Sequence, residues 1–368
     1  MFARMRPRSR PRLLGLLGLV LACQNPQADT SPFTTTPPMT SASGSSSSSD
    51  TGASSSGSDS GGHASSTLAE PSTSTSEVST SAGGTTLVLD VGSDQDVGPL
   101  QPVGCKGKID FLFVISRYGG MKYFQEQLLA AFPAFIDTIE EKFVDFDYHI
   151  MVVDGDEKWG LSVCDEMCPA QCVPDYPCDY TPTVCDTTMG AGVVYPAAYE
   201  ASNAPCPISG GGRYMAKGQK DLKGTFSCAA QIGVSGGDSM GEALAAAMLL
   251  KKYDPWNCNT GFLRDDALLM ITLMSNTYDD PVLSSKGTPG GWTAAVREAK
   301  GGDLNSVVLL NIGDTMVPGC HKDDRLCQMV KLFPYALNRE FTGKDYGPYF
   351  EEAVGLVEKA CEEFIPPG

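Results

Sequence analysis

A serine, two carboxylates and a histidine in one order along the chain are the first chemistry to weigh. Gly233-Val234-Ser235-Gly236-Gly237 has the GxSxG spacing of a turn that presents a nucleophilic serine, and Asp279 or Asp280 and then His321 follow it. A serine hydrolase of the α/β type requires that order, with the imidazole taking the serine proton. It also requires a good strand before the turn, and Phe226 to Ile232, FSCAAQI, reads as a weak one. In a chain with 40 glycines a lone match has low specificity. His149 falls within a predicted strand and is expected to satisfy a structural hydrogen bond, while His63 falls in a low-complexity stretch.

A second place for chemistry is Lys108 to Met121, KIDFLFVISRYGGM. Ile109, Phe111, Leu112, Phe113, Val114 and Ile115 make the near-continuous apolar run of a strand covered on both faces, and Gly119-Gly120 break it before a helix. The loop at the carboxyl end of a parallel strand is the default ligand site of an open α/β sheet. This one offers Ser116, Arg117 and Tyr118 and no carboxylate.

Cysteine is the third. Of 13 in the chain, Cys23 stands apart, and the other 12 run from Cys105 to Cys361. An even number in an exported domain predicts a disulfide framework. Five crowd into Cys164 to Cys185 among Pro169, Pro174, Pro177 and Pro182, which predicts a stapled loop insertion there without a helix or strand of its own, the cysteine-rich insertion and loops together covering 164–228. Zinc on the short-spaced thiolates is the alternative, but the spacings are irregular and no histidine lies near. Pairing does not follow from spacing.

The elements that must position these residues alternate. Helices are expected over Tyr123–Phe143, Ser239–Lys251 (capped by Asp238 or Ser239), Trp292–Lys300, Arg325–Leu337 (shortened by Pro334) and Pro348–Phe364. Further strands are expected at Tyr148–Val153, Ala267–Met274 and Ser306–Ile312. Alternation of this kind predicts a Rossmann-like, doubly wound, mainly parallel sheet with helices on both faces, in one domain over 105–366.

Ahead of it, Arg4, Arg6, Arg8, Arg10 and Arg12 precede the apolar run Leu13–Ala22, the layout of a secretory signal over 1–22 that is too short to span a bilayer. Val20-Leu21-Ala22-Cys23 resembles the bacterial lipobox, which implies acyl chains on Cys23 and a lipid-anchored protein of the cell envelope, at the outer membrane. From 23 to about 100, Ser, Thr, Gly and Pro dominate, a composition expected to form a disordered tether. Removing five arginines with the leader moves the formal charge from −17 to −22. That acidity argues against nucleic acid as a partner and leaves the lipid anchor as the membrane contact.

The strand IDFLFVI, the turn with Gly119 and Met121, the helix containing AFPAFI, the strand YHIMVVD, and later FLRDDALLMITLMSN and SVVLLNI together resemble a von Willebrand factor type A domain. The closer likeness is to the cysteine-rich version on bacterial surface lipoproteins. The resemblance implies a Mg²⁺ site whose first loop carries Asp-x-Ser-x-Ser, with a threonine from a second loop and an aspartate from a third. Here VISRYGGM fills the first loop, so Ser116 stands for the aspartate, and Tyr118 and Gly120 for the two serines. Val234, or Ser235 beside it, falls at the threonine and Asn276 at the third-loop aspartate. Both expected carboxylates are missing, and Arg117 adds a positive charge, so a degenerate site with no metal and no other cofactor is expected. Asp279 and Asp280 are the carboxylates that could reach a relocated ion of the Ca²⁺ type.

The function expected on these grounds is a surface-anchored, non-catalytic, metal-independent protein-binding or adhesion module. Its partner would be a protein or envelope component meeting a rim of Arg117, Tyr118, Asn276 and Tyr278, since tyrosine and arginine are common binding anchors. The alternatives are the serine hydrolase at 233–237 and a purely structural envelope protein.

Overall fold

The computed structural model of this chain describes Cys105 and residues 107–161, 173, 175–280, 282, 284–313, 320–341 and 345–364. The signal segment, Cys23, the tether and Cys164, Cys168 and Cys172 lie outside them. Apolar runs become strands where expected: β1 (Lys108–Ile115), β2 (Asp147–Asp154), β4 (Leu268–Met274) and β5 (Val307–Gly313). With a two-residue β3 (Met215–Ala216) and β6 (Tyr335–Glu340) they form a six-stranded sheet of order β3-β2-β1-β4-β5-β6. All pairs are parallel except the antiparallel edge pair β2–β3. The strand order reverses direction of growth between β1 and β4, the arrangement of a doubly wound sheet.

Because side chains alternate across a strand, β1 feeds two cores. Ile109, Phe111, Phe113 and Ile115 face α1 (Lys122–Lys142), α2 (Leu222–Ala230) and α6 (Gly347–Glu363), meeting Leu128, Phe132, Phe226 and Phe350. Leu112 and Val114 face α3 (Met240–Leu250), α4 (Pro289–Ala299) and α5 (Arg325–Val330), meeting Leu244, Trp292, Val296 and Leu326. α1 continues through Pro133, as its apolar spacing requires. No described helix is long and apolar enough to cross a membrane.

Two expectations are corrected. Phe226 to Ala230 is the second half of helix α2, whose Phe226 ring stacks on Phe132 at 3.3 Å, so the residues before 233–237 are not a strand. Arg325–Leu337 divides at Phe333-Pro334 into the short α5 and the edge strand β6, because proline lacks the N–H that would carry the helix onward. The 164–228 stretch also supplies β3 and most of α2.

Disulfides are present: Cys105–Cys361, Cys185–Cys258, Cys206–Cys228 and Cys320–Cys327, and Cys178 is also bonded. Cys185 ties the insertion to the chain beyond α3, while Cys105–Cys361 fastens the entry to β1 onto α6.

Candidate functional site

Three loops meet where β1 and β4 part at the carboxyl edge of the sheet. The first follows β1: the Ser116 N–H donates to Met274 O (2.9 Å), and the Ser116 Oγ accepts from the Tyr118 N–H (3.1 Å), closing a tight turn with the serine fully buried. The second, 233–237, is sewn to the first through backbone bonds, Arg117 N to Gly237 O (3.1 Å) and Gly236 N to Arg117 O (3.0 Å). The third follows β4, where the Asn276 Nδ2 donates to Gly119 O at 3.0 Å. Gln125, buried on α1, pins the first two from below by donating to Ser116 O (3.3 Å) and Gly233 O (2.9 Å) and accepting from Gly233 N (3.2 Å). Ser116, Val234, Ser235 and Asn276 are thus brought together.

Glycine is required in this junction for two different reasons. Gly120 has φ +89°, and a Cβ there would stand 3.1 Å from the Asn276 amide nitrogen. At Gly236 a Cβ would fall 2.6 Å from Asp156 Oδ2 and 3.0 Å from Arg117 Nε.

Arg117 does not belong to the solvent-facing rim. It is 2% exposed, and its guanidinium runs under the loop: Nη1 donates to Lys158 O (2.7 Å) and to Asp154 Oδ2 (3.4 Å), Nη2 to Gly160 O (3.2 Å) and Ala197 O (3.3 Å). A cation buried among three carbonyls and one carboxylate acts as an internal brace joining the β1 loop to the chain after β2. Burial raises the Asp154 carboxyl to about 6, with the Arg117 charge opposing the rise and Asp156 adding to it. Asp156 supports the second loop directly, accepting from Gly237 N at 2.8 Å.

Tyr118 sits on the outside of the same turn, 51% exposed. Tyr199, 42% exposed, joins it as a residue that the sequence did not single out: its backbone pairs with Val234 N (2.9 Å) and with Ser235 Oγ (3.3 Å), which fastens it to the second loop. Next to it Glu200 pairs with Lys122 at 2.9 Å. No local signal marks Tyr199, because what makes it part of the rim is the return of a distant loop. Tyr278 stacks on His321 with ring centres 5.4 Å apart.

The carboxylates are also placed differently from expectation. Asp279 is fully buried: its Oδ2 accepts from the Gly241 N–H at the start of α3 (2.8 Å) and from Ser285 Oγ (2.6 Å), and its Oδ1 from Ser285 N (2.9 Å). Burial raises its carboxyl above the ordinary value against those hydrogen bonds. It caps α3 from another loop, so neither Asp238 nor Ser239 does so; the Asp238 carboxylate instead accepts from the hydroxyls of Thr277 and Ser284. Asp280 is exposed and closes its own turn by accepting from Val282 N (2.7 Å). His149 bonds Phe262 O at 2.9 Å, a structural contact as expected.

Donor chemistry decides what the junction can hold. Ser116 Oγ is used by Tyr118 N, Val234 has no side-chain oxygen and packs against the core, and Asn276 turns its nitrogen to the first loop while its Oδ1 is buried without a partner. Among the described residues, no group of three or more His, Cys, Asp or Glu side chains is arranged to hold a metal ion. Among the described residues, the Ser235 hydroxyl accepts from Tyr199 N, and His321 stacks on Tyr278.

No protein-family model and no curated protein matches the chain. Among solved structures, one match is proximal thread matrix protein 1 of the mussel byssus, at 12% identity and a TM-score of 0.31, over 70% of this chain and 47% of that one. The chain spans about half the length of that protein, and a superposition this loose carries no argument about fold or function.

Proposed function

We propose that the chain is a surface-anchored, non-catalytic recognition module of von Willebrand factor type A architecture, which contacts a protein or envelope component through the junction of its β1 and β4 loops and uses no metal there. The observation that carries this reading is the meeting of 116–120, 233–237 and 275–277 at the switch point of the sheet, with Tyr118 outward and Arg117 buried beneath. Ligands of open α/β sheets bind at such a point. Support for the type A architecture is the doubly wound sheet taken with the sequence VISRYGGM, which runs from the end of β1 into the turn after it.

The Mg²⁺ that this resemblance implies does not fit the residues present. A small hard cation wants near-octahedral oxygens with negative charge among them. At the positions that stand for the family's ligands the junction offers one buried hydroxyl that already accepts from Tyr118 N, a valine and a neutral amide, and it carries a guanidinium below. The rim is therefore taken as Tyr118, Tyr199 and Asn276, with Arg117 reassigned from contact to support.

A photo-crosslinking residue in place of Tyr118 on the mature chain tests the reading. It is expected to trap a defined partner on intact cells, equally with and without a chelator, while the same group at Tyr253, at the opposite edge of the sheet, traps none. Equal capture at both positions, or capture abolished by chelation, contradicts it.

A further inference from the structure

α3 starts at the junction and runs to the amino edge of the sheet, where the chain leading on to β4 makes a stiff turn tipped with aromatic rings. Tyr253 is 74% exposed and Trp256 61%, and Leu249 and Val184 are exposed beside them. The Asp254 carboxylate holds the turn by accepting from Cys258 N (2.8 Å) and Asn259 N (2.7 Å), and the Cys185–Cys258 bond ties Val184 to it. Tyr253 N donates to Leu249 O (2.9 Å), which joins the turn to the end of α3. Next to Leu249 a hollow of about 350 Å³ opens between the ends of α3 and α4, lined largely by Met248, Ala295 and Ala299. This tip lies where the chain enters the domain. Lys108, the first residue of β1, pairs with Asp266 at 2.6 Å, and the adjoining Asp265 pairs with Lys251 in the turn.

From this placement we infer that the tip rests in the interfacial layer of the bilayer to which Cys23 fastens the chain, with Tyr253 and Trp256 at the level of zwitterionic lipid headgroups. Tyrosine and tryptophan favour that layer because a ring buries its face there while its O–H or N–H stays wet. Leu249, Val184 and the hollow add apolar area to the contact. A stable protein interface engages roughly 20–30 residues a side, whereas this tip offers four exposed apolar side chains beside one hollow. Charge selects the lipid. Lys251 and Lys252 are answered by Asp265 and Glu298, and Asp254 adds a further carboxylate, so no surplus of positive charge draws anionic headgroups. A contact of this size is weak and reversible, so it orients an anchored domain with its rim turned outward and does not replace the anchor. The inference rests on the reading of Cys23 as lipidated, and not on what the rim binds.

The test mixes the mature chain carrying Cys23→Ala, and so no acyl chains, with phosphatidylcholine vesicles whose acyl chains are brominated. Saturable cosedimentation at about millimolar lipid is expected, with quenching of tryptophan emission. Trp256→Phe should remove the quenching, because Trp159 follows the carboxyl end of β2 and Trp292 is buried in the first turn of α4. The pair Tyr253→Ser and Trp256→Ser, at exposed positions that spare the fold, should weaken binding about tenfold or more, while Tyr118→Ala should leave it unchanged. Absence of binding at millimolar lipid, full quenching in Trp256→Phe, or undiminished affinity in the double variant overturns the proposal. So does binding that appears only when phosphatidylglycerol is added, or a dimer in lipid-free sedimentation that the double variant loses, which would make the tip a contact between copies. A rim that fails its own crosslinking test would leave these outcomes as they stand.

Discussion

Arg117 shows how one side chain can hold a surface loop from below. Its guanidinium serves three carbonyls from Lys158, Gly160 and Ala197 and the Asp154 carboxylate, so removing it strands buried acceptors and a half-buried acid at once. Arg117→Met is expected to cost about 3 kcal/mol in urea unfolding, the scale of breaking a buried pair by deleting one partner. A loss within experimental error would show that the arginine braces nothing. Asp154 gives a second prediction at this scale. Burial moves its carboxyl from 3.8 up to about 6, so the folded chain holds a proton that the unfolded chain releases between those values. Stability from this group therefore falls as pH rises from about 4 through about 6 and is flat above. Compared with Asp154→Asn, the wild type should lose on the order of 2 kcal/mol across that window in thermal unfolding. A constant difference would refute the assignment. None of this was legible locally: an arginine two residues past a buried strand reads as solvent-facing, and its partners come from 41, 43 and 80 residues away.

Among the elements, those with a strong period were readable and those set by tertiary contacts were not. β1, β2, β4 and β5 announce themselves as apolar runs, whereas β6, YALNRE, is an edge strand that follows Phe333-Pro334 and ends in the consecutive polar residues Asn338, Arg339 and Glu340, so it mimics a helix end. The second half of α2, with Cys228, Ala229 and Ala230, reads as a weak strand because burial of Phe226 against Phe132, not local preference, fixes the helix. The start of α3 depends on Asp279 from beyond β4, a cap that no pattern around residue 239 could reveal. Asp279→Ala is expected to destabilise the domain by about 1–3 kcal/mol, because it leaves the Gly241 N–H buried without its acceptor. Hydrogen exchange should show the loss concentrated in the first turn of α3, and uniform exchange would argue against this role. Opening Cys105–Cys361 by a double serine variant should cost about 2–5 kcal/mol, since that bond closes the longest loop in the domain. Unchanged denaturant midpoints would contradict the expectation.

At the scale of the whole molecule, the sequence conveyed a doubly wound sheet with helices on both faces and a disulfide framework, and it located the junction by following β1 to its carboxyl end. It could not convey which side chains face solvent there, because exposure is decided by loops arriving from elsewhere: Tyr118 and Tyr199 outward, Arg117 inward. In the proposed arrangement Cys23 carries the acyl chains and the Ser/Thr-rich stretch carries the domain away from the membrane. Cys23→Ala should then release the protein from the membrane fraction. The proposed binding junction needs no ion. Calorimetric titration of the mature chain with Mg²⁺, Ca²⁺ and Mn²⁺ tests that most directly: no saturable heat is expected from any of them, and micromolar binding of one, lost in Asn276→Ala, would contradict it.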